Sequence, residues 1–501
     1  MNRTYSIIVL LVIFSLPLDP GMGWGQAQPS TLSLGLRDAV LMTLEQNQSL
    51  AVERYSPEIY KTFVAEQNAA FDSVFQADTG YSETEGQRTS GVGEFRAVTS
   101  RNKTMNLGVS KQMPSGMTLG VDANLRSQDS NVFSRLYSSR LGTSLTMPLL
   151  EGRGSEVNLV GVRQAELDEE LTQFELEAFT QALLAQVEEL YWDLYAAREE
   201  LKIQLASLEL AQEQLKETKQ RIDVGDMAEI ELAAAEGEVA LRQEAVIDAE
   251  STVETTRLEL IRLLNPPHSQ PWAIAVDLIE SPTLGDPFPA PVDEYVAMAL
   301  QSRPDLEQAR MQQARWELDI VKTKNGLLPR LDFFVTFGKT GYANSFGDSV
   351  ENIHQANFDL NTGFQFEYSF ANRAQKARHQ RAEYQVKEAE AALRNMEQLV
   401  ELDVRKAYVE VNRCLRQISA TQAASQLQEA NYTAEMVKFR VGKSTNLLVL
   451  LVQRDLTRSR LDALRAQINL RKAWVQMDYA QGILLDKNQI VLPRNGAVGS
   501  E

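Results

Sequence analysis

The sequence predicts an α+β membrane protein in which very long antiparallel helical hairpins form an α-barrel tunnel joined to a transmembrane β-barrel shared by the oligomer. Three observations support this fold class: an internal two-fold sequence repeat, two helical segments far longer than globular helices, and segments of alternating polarity ahead of each. The composition is that of a folded chain, since 44% of the 501 residues are hydrophobic.

Charge and residue types exclude several classes of protein. Acidic residues outnumber basic ones and give a net charge of −18, which makes nucleic acid an unfavourable partner. The single cysteine, Cys414, excludes an intrachain disulfide, and the 3 histidines are widely scattered. We therefore expect no metal site and no cofactor. There is also no nucleophile motif, phosphate loop or distinct carboxylate pair, so the sequence predicts no enzyme activity.

Residues 1–27 are typical of a secretory signal peptide. A charged start precedes an apolar run from Ile7 to Leu18, which is too short to span a bilayer as a stable helix, and small residues follow it. Pro17 and Pro20 interrupt the run and argue against a membrane anchor. Because no later segment is apolar enough for a membrane helix, we expect the mature chain to enter a membrane only as a closed barrel.

The chain contains two copies of one order of parts. Leu44 aligns with Leu300 and Phe75 with Leu331 at an offset of 256 residues. The first repeat, 28–264, comprises helices 33–73, barrel strands 75–150, a long helix 152–224 and a return helix 226–264. The second, 292–482, comprises helices 293–328, barrel strands 331–370, a long helix 371–441 and a return helix 443–481. A crossover, 265–291, joins the repeats, and a C-terminal tail, 483–501, follows them.

The long helices follow from the absence of helix breakers. Neither Gly nor Pro occurs in the 63 residues 162–224 or in the 71 residues 371–441. At a rise of about 1.5 Å per residue, such helices are roughly 95 to 105 Å long. Each ends at a Val-Gly pair, and a return segment of 39 residues follows each pair. Apolar residues recur at spacings of three and four and predict a narrow packing stripe: Leu201, Leu205, Leu208, Leu215 and Ile222, then Leu447, Leu451, Leu461, Leu464 and Ile468.

Alternating polarity predicts strands ahead of each long helix. Residues 105–109 and 117–125 alternate around a Pro-Ser-Gly turn, and 141–147, 331–337 and 358–370 alternate likewise. Half of a soluble sandwich is one interpretation; the signal peptide and the long helices favour strands of the outer membrane. One chain offers four to six strands, fewer than the roughly eight that a single-chain barrel needs, so several chains must share one barrel.

The chain resembles the TolC family of outer-membrane export channels across essentially its whole mature length. The ordered set of motifs carries the resemblance: Asn47-Gln48-Ser49-Leu50, Met147-Pro148-Leu149-Leu150-Glu151-Gly152, Ser302-Arg303-Pro304-Asp305-Leu306, Tyr368-Ser369-Phe370-Ala371-Asn372-Arg373 and the two Val-Gly turns. The resemblance implies a homotrimer in the outer membrane of a Gram-negative bacterium, in contact with its lipid. It also implies a barrel of four strands per protomer and a helical tunnel that projects into the periplasm. The hairpin 105–125 would be surplus to four strands.

By the same resemblance, the expected function is that of a passive exit duct in a tripartite efflux system for drugs, metals or other small molecules. Its partners would be a periplasmic adaptor (membrane fusion) protein and an inner-membrane transporter. An outer-membrane duct for type I protein secretion stays open as an alternative. A structural coiled-coil spacer of the cell envelope is the alternative from another class.

The resemblance places the functional sites at the two helix turns, which would form the periplasmic mouth. The residues that match its narrowest ring are Glu231, Leu448 and Leu451, so the ring contributed by the second repeat is apolar and would gate by packing or dewetting. The equally weighted alternative is that 447–452 is ordinary helix-packing core. The candidate adaptor-docking residues are Val224, Gly225, Asp226, Val441, Gly442 and Lys443.

Overall fold

The computed structural model describes residues 31–89, 95–131, 134–225, 227–282, 289–355 and 357–491. The predicted signal peptide, the docking candidate Asp226 and the last ten residues of the predicted tail lie outside these ranges.

A short strand, short helices, four longer strands and a helical hairpin follow one another in the first half. The elements are β1 (Thr31–Leu34), α1 (Leu36–Gln46), α2 (Gln48–Glu53), α3 (Tyr55–Asn68), β2 (Ser73–Thr89), β3 (Phe95–Gln112), β4 (Thr118–Ser130), β5 (Leu136–Pro148), α4 (Ser155–Asn158), α5 (Val160–Asp223) and α6 (Ile230–Leu264).

The second half begins in the crossover and contains a second long hairpin. Its elements are β6 (Ala275–Leu278), α7 (Val292–Ser302), α8 (Pro304–Asn325), β7 (Arg330–Ala343), α9 (Phe346–Glu351), β8 (Phe358–Glu367), α10 (Arg373–Arg440), α11 (Asn446–Gln481) and α12 (Leu484–Lys487). Helices α5 and α10 contain 64 and 68 residues, which corresponds to about 96 and 102 Å.

Several helices are shorter than the sequence predicts, because backbone conformation interrupts them. The long helix predicted from residue 152 begins at Val160, since Gly152 and Gly154 have φ of 81° and 98° and cannot be helical. The helical segment predicted over 33–73 is preceded by β1 and breaks at Asn47, whose side chain caps α2 through the Leu50 N–H. The segment predicted over 293–328 breaks before Pro304.

The return helices, the crossover and the tail also differ from prediction. The return helices begin at Ile230 and Asn446, several residues after the Val-Gly turns. The crossover contains β6, which pairs in parallel with β1. The tail contains α12, whose Leu484 and Leu485 are buried against α1, α5 and α11. It is therefore part of the folded body.

The sheet has six strands in the order β2-β3-β4-β5-β7-β8, and every neighbouring pair is antiparallel. The four strands per protomer implied by the family resemblance are therefore wrong for this chain. The hairpin β3–β4, which the sequence left unplaced, lies within the sheet. Strands β2 and β8 form its two edges.

The helices pack in two levels that share α5 and α10. Near the sheet, neighbouring contacts give the order α3, α5, α8, α10, and towards the Val-Gly turns they give α6, α5, α11, α10. One hydrophobic cluster surrounds Tyr191 on α5, and a second surrounds Val404 on α10. The Tyr191 hydroxyl donates to the Leu34 carbonyl oxygen (3.2 Å) and accepts from the Glu280 N–H (3.2 Å), which fixes the two-stranded sheet β1–β6 to α5.

A buried carboxylate lies where α5 meets α12. Glu188 is 7% exposed, and the Asn488 side-chain amide donates to it at 3.0 Å. Burial raises the pKa of Glu188, while the Asn488 hydrogen bond and the nearby Lys487 lower it and Asp478 raises it further. Lys487 pairs with Asp478 beside this site.

The raised pKa makes stability depend on pH with a defined sign. The folded state binds the proton of Glu188 more tightly than the unfolded state, so its contribution is most favourable below the unfolded value of about 4.5 and is lost as pH rises through the folded pKa. We expect Glu188→Gln to remove this loss while keeping an acceptor for Asn488. The Tm of the variant should therefore exceed that of the wild type increasingly from pH 4.5 to 8.

The matched control is Glu209→Gln, which changes an exposed carboxylate on the same helix. Circular dichroism melts at each pH give the comparison. If the difference in Tm between Glu188→Gln and wild type does not grow with pH, burial does not raise the pKa of Glu188 enough to affect stability.

Candidate functional site

One face of the six-stranded sheet is apolar. Residues directly opposite one another on neighbouring strands share a face, so the register defines rows across the sheet. One row consists of Phe75, Val109, Val121, Thr143, Phe337 and Leu360. Apolar rows extend along the strands from the level of Leu331 to the level of Leu125, a length of about ten residues. With strands tilted by about 40° from the membrane normal, these rows form an apolar band roughly 25 Å high. Lys111 and Lys339 interrupt it, and long lysine stems lie along apolar surface while the ammonium reaches water.

The opposite face of the sheet is polar, and ion pairs between side chains connect its strands. Its central residue, Arg140 on β5, donates to Asp122 on β4 and to Asp359 on β8, each at 2.7 Å. Gly142 and Gly338 make room for this side chain, since a Cβ at Gly338 would meet the Arg140 Nη2 at 2.5 Å. The two faces of the sheet therefore suit different surroundings, one apolar and one aqueous.

Both long helices end in glycine-capped turns at the far end of the molecule. Gly442, with φ of 74°, donates to the Phe439 carbonyl oxygen (3.0 Å), and Lys443 donates to the Lys438 carbonyl oxygen (2.8 Å), which is the Schellman pattern. Gly225, with φ of 78°, donates to the Ile222 carbonyl oxygen at 2.9 Å. The turns satisfy their own backbone groups and leave their side chains available for contacts.

The residues beside these turns are apolar and exposed. Val224 is 78% exposed and Val441 63%, which is unusual for valine. Nearby, the Ser444 hydroxyl and the Lys438 ammonium lower the pKa of Glu435, which keeps this carboxylate ionised. Surfaces of this kind, apolar with a charged rim, are typical of contact sites for other proteins.

The predicted constriction residues lie near the start of the return helices. Leu448 and Leu451 are 46% and 45% exposed, whereas Val449 and Leu450 between them are buried. The helix-packing interpretation of 447–452 thus applies to Val449 and Leu450. Glu231, in the first turn of α6, is half-buried.

The contact between α5 and α11 near the turns is polar, which the leucine periodicity did not predict. The buried residues of α5 in this seam are Gln204, Ser207, Ala211, Gln214 and Thr218, at spacings of three and four. The Gln214 amide donates to the Asn446 oxygen (2.9 Å), and the Ser207 and Thr457 hydroxyls are hydrogen-bonded (3.1 Å). Leu205, assigned to the stripe from sequence, is 46% exposed. That three-and-four spacing was the signal that sequence reasoning missed.

A charged contact joins the two return helices beside this seam. The Glu238 side chain on α6 is 1% exposed, and it accepts from Arg242 on the same helix and from Arg454 on α11, at 2.7 and 2.6 Å. Further towards the turns, the Arg221 guanidinium lies 4.4 Å from the ring centroid of Phe439. Polar contacts therefore connect α5 with α11 and α6 with α11 at this end, beside the buried apolar residues Phe439, Val449 and Leu450.

The described residues also bear on metal binding and on membrane-spanning helices. Within the described ranges, no group of three or more His, Cys, Asp or Glu side chains is arranged to hold a metal ion. None of the helices in the described part of the chain has both the length and the apolar character that a membrane span requires.

The sequence matches the family model described as outer membrane efflux protein over residues 97–266 and 295–482. The chain belongs to this family. No curated protein matches the sequence in a direct comparison.

Solved structures share the fold. The outer-membrane channel OprN is 18% identical, with a TM-score of 0.66 and 89% of each chain covered. The CmeC outer membrane channel of Campylobacter jejuni is 14% identical, with a TM-score of 0.66 over 89% of this chain and 85% of that one. The outer membrane protein VceC of Vibrio cholerae is 14% identical, with a TM-score of 0.66 over 89% of this chain and 96% of that one.

Membership of the outer membrane efflux protein family confirms three predictions from the sequence. The resemblance to TolC-type channels is correct, the protein is a passive channel protein rather than an enzyme, and it belongs in the Gram-negative outer membrane with a periplasmic extension. Channels of this family are trimeric and work in tripartite systems with an adaptor and an inner-membrane transporter. The structural coiled-coil spacer is thereby excluded.

The polar seam makes a prediction about stability. Gln214→Leu alone leaves the buried Asn446 without its partner, and an unpaired buried amide costs about 1 to 3 kcal/mol. Gln214→Leu together with Asn446→Leu replaces a polar pair by an apolar one, so we expect the double variant to be at least as stable as the wild type. Thermal unfolding followed by circular dichroism measures both.

Lys216→Leu, an exposed change on the same helix, controls for adding a leucine to α5. A double variant as unstable as the single one would mean that the polar pair itself stabilises the seam.

Proposed function

We propose that three copies of this chain form the exit duct of a tripartite efflux system for small molecules. The observation that carries the proposal is the continuity of one chain from a sheet with an apolar face of membrane height, through helices of 64 and 68 residues, to exposed apolar turns. Such a chain connects a membrane-embedded wall to a contact site about 100 Å away.

The open sheet supports assembly into a closed barrel. Strands β2 and β8 each pair with a single neighbour among the described strands, so each leaves one row of backbone groups without a strand partner. Hydrocarbon cannot satisfy these groups, and identical copies supply the missing neighbours when β8 of one copy pairs with β2 of the next. The apolar face then contacts lipid and the polar face, with Arg140, lines the lumen.

The helices would close a tunnel below this barrel. The same three-fold axis brings together the helices of each copy, and their polar surfaces leave an aqueous path between periplasm and exterior. The duct itself uses no energy; the inner-membrane transporter would drive transport. The family description favours efflux over type I protein secretion.

At the far end, Leu448 and Leu451 of each copy, with Glu231, would form the narrowest part of the tunnel. The part of this constriction that the two leucines contribute is apolar, so it holds few water molecules and resists the passage of ions. The exposed turns, with Val224, Gly225, Val441, Gly442 and Lys443, would receive the tips of a periplasmic adaptor protein, and Asp226, which lies outside the described residues, stays a docking candidate from the sequence.

The adaptor contact gives the main test of the proposed function. In a strain lacking this gene, we expect the wild-type gene to restore resistance to a panel of dyes, detergents, antibiotics and metal ions. Val224→Asp with Val441→Asp should abolish that resistance, because charges replace the apolar contact, while the purified variant still conducts ions in planar bilayers as a trimer.

Val52→Asp, at a valine that is 70% exposed far from the turns, is the matched control. Resistance that survives the double change would contradict docking at the turns. A wild-type protein that is monomeric, or that leaves liposomes impermeable, would contradict the duct itself. The secretion alternative would be favoured if the wild-type gene did not restore resistance and if the strain lacking the gene no longer released an exported protein into the medium.

The constriction gives a separate prediction. Leu448→Ser with Leu451→Ser replaces the apolar ring by hydroxyl groups that hold water, so single-channel conductance should rise several-fold. Leu241→Ser with Ile247→Ser, two exposed apolar residues of α6, controls for the loss of apolar surface. Unchanged conductance in the first variant would show that these leucines do not line the narrowest part.

A further inference from the structure

We infer that the membrane barrel of this protein has eighteen strands, six from each of three copies, and that its bore is as wide as the helical tunnel below it. The inference rests on the trimer proposed above. The hairpin β3–β4 is the feature responsible, because without it each copy would contribute four strands, as the family resemblance implied.

The hairpin is part of the wall and not an appendage. Strand β3 pairs with β2 from Lys111↔Ser73 upwards and with β4 from Gln112↔Thr118, and β4 pairs in turn with β5. Side chains of the polar face connect the same strands, since the Asn106 amide donates to Asp78 at 2.6 Å and Asn124 donates to Asn106. A hairpin folded outside the wall would have neither the continuous ladder nor this polar row.

The turn between β3 and β4 lies where the sheet meets the helices. It is closed by Gly116, with φ of 90°, which donates to the Met113 carbonyl oxygen at 2.8 Å. The Gly154 N–H donates to the Ser115 carbonyl oxygen at 3.0 Å, and a Cβ on Gly116 would meet the Gly152 carbonyl oxygen at 2.2 Å. The turn is therefore fixed against the segment that leads from β5 into α5.

The widths of the two layers agree when each copy contributes six strands. Six strands spaced about 4.8 Å apart and tilted by 35 to 45° occupy roughly 35 to 41 Å of circumference. The four helices abreast in each level, spaced 8 to 10 Å apart, occupy roughly 32 to 40 Å. Four strands would occupy only roughly 23 to 27 Å, and the duct would narrow where it enters the membrane.

Three copies with six strands each then give a barrel with a backbone diameter of roughly 36 Å. Three copies with four strands each would give a diameter of roughly 24 Å. Barrels of sixteen to eighteen strands enclose an open aqueous channel. The size of the solutes that leave the cell is therefore set at the periplasmic tip and not in the membrane.

A four-stranded variant tests this bore. Ser82 and Leu136 lie in one row of the register, so replacing residues 83–135 by Asn-Gly joins β2 to β5 through a two-residue hairpin turn and keeps every face in place. The matched control replaces residues 131–133 by Asn-Gly and keeps all six strands. Native mass spectrometry reports the assembly of each protein.

Poly(ethylene glycol) of graded mass, added at the extracellular side of planar bilayers, reports the bore. We expect the wild type and the control to admit larger polymers than the four-stranded trimer. Equal cut-offs in trimers of all three would overturn the inference, and a wild type that is not trimeric or does not conduct would instead overturn the proposed function.

Should the four-stranded chain fail to assemble, electron cryomicroscopy of the wild-type trimer decides the strand number directly. Eighteen strands in the wall support the inference, and twelve overturn it.

Discussion

The two edges of the six-stranded sheet, each without a strand partner among the described residues, constrain how this protein can lie in a membrane. A sheet in hydrocarbon must satisfy its N–H and C=O groups internally, and β2 and β8 each lack one neighbour within the described chain. A barrel closed by identical copies removes both edges at once. Because an even number of strands separates the two edges, β8 runs antiparallel to the β2 that it would meet, so closure continues the pattern of the sheet.

In the proposed duct, the length of α5 and α10 meets a second requirement, since one rigid body has to reach from the membrane to the adaptor contact. Each long helix passes through two levels and changes its partners between them, from α3 and α8 near the sheet to α6 and α11 near the turns. Apolar clusters around Tyr191 and Val404 pack the ends of α6 and α11 that lie nearer the sheet, whereas the contact between α5 and α11 near the turns is polar. Burial of apolar area stabilises a contact more than burial of the same area of polar groups, so α5 and α11 are held less strongly in this seam than in the apolar clusters.

The sequence predicts the long helices and their turns because these depend on local features, namely the absence of Gly and Pro and a glycine at each end. It does not predict the pair β1–β6, whose partners are 244 residues apart, or the strand number, since the alternation of residues 105–125 fits several placements. At the tip, the sequence identifies Leu448 and Val224 as residues of interest, but its leucine stripe does not reveal the polar seam between α5 and α11, although Ile468 of the stripe is buried. Leu205 has the apolar character of a core residue, yet the neighbour that α5 meets is polar and accepts Gln214 instead. The identity of that neighbour cannot be read from one helix alone.

The connections between sheet and helices explain how six strands, rather than the four implied by the family resemblance, fit above four helices. Four strands continue into helices or follow from them: β2 after α3, β5 into α5, β7 after α8 and β8 into α10. These are the four helices abreast beside the sheet, so each helix has one strand of its own. Strands β3 and β4 have no helix below them, and their connecting turn is instead bound by Gly154 at the start of the helical layer. Strands are spaced at about half the distance between helices, so four helices leave room for more than four strands above them. The hairpin occupies that room, so in the proposed trimer the wall would pass from one layer to the other without a change in circumference.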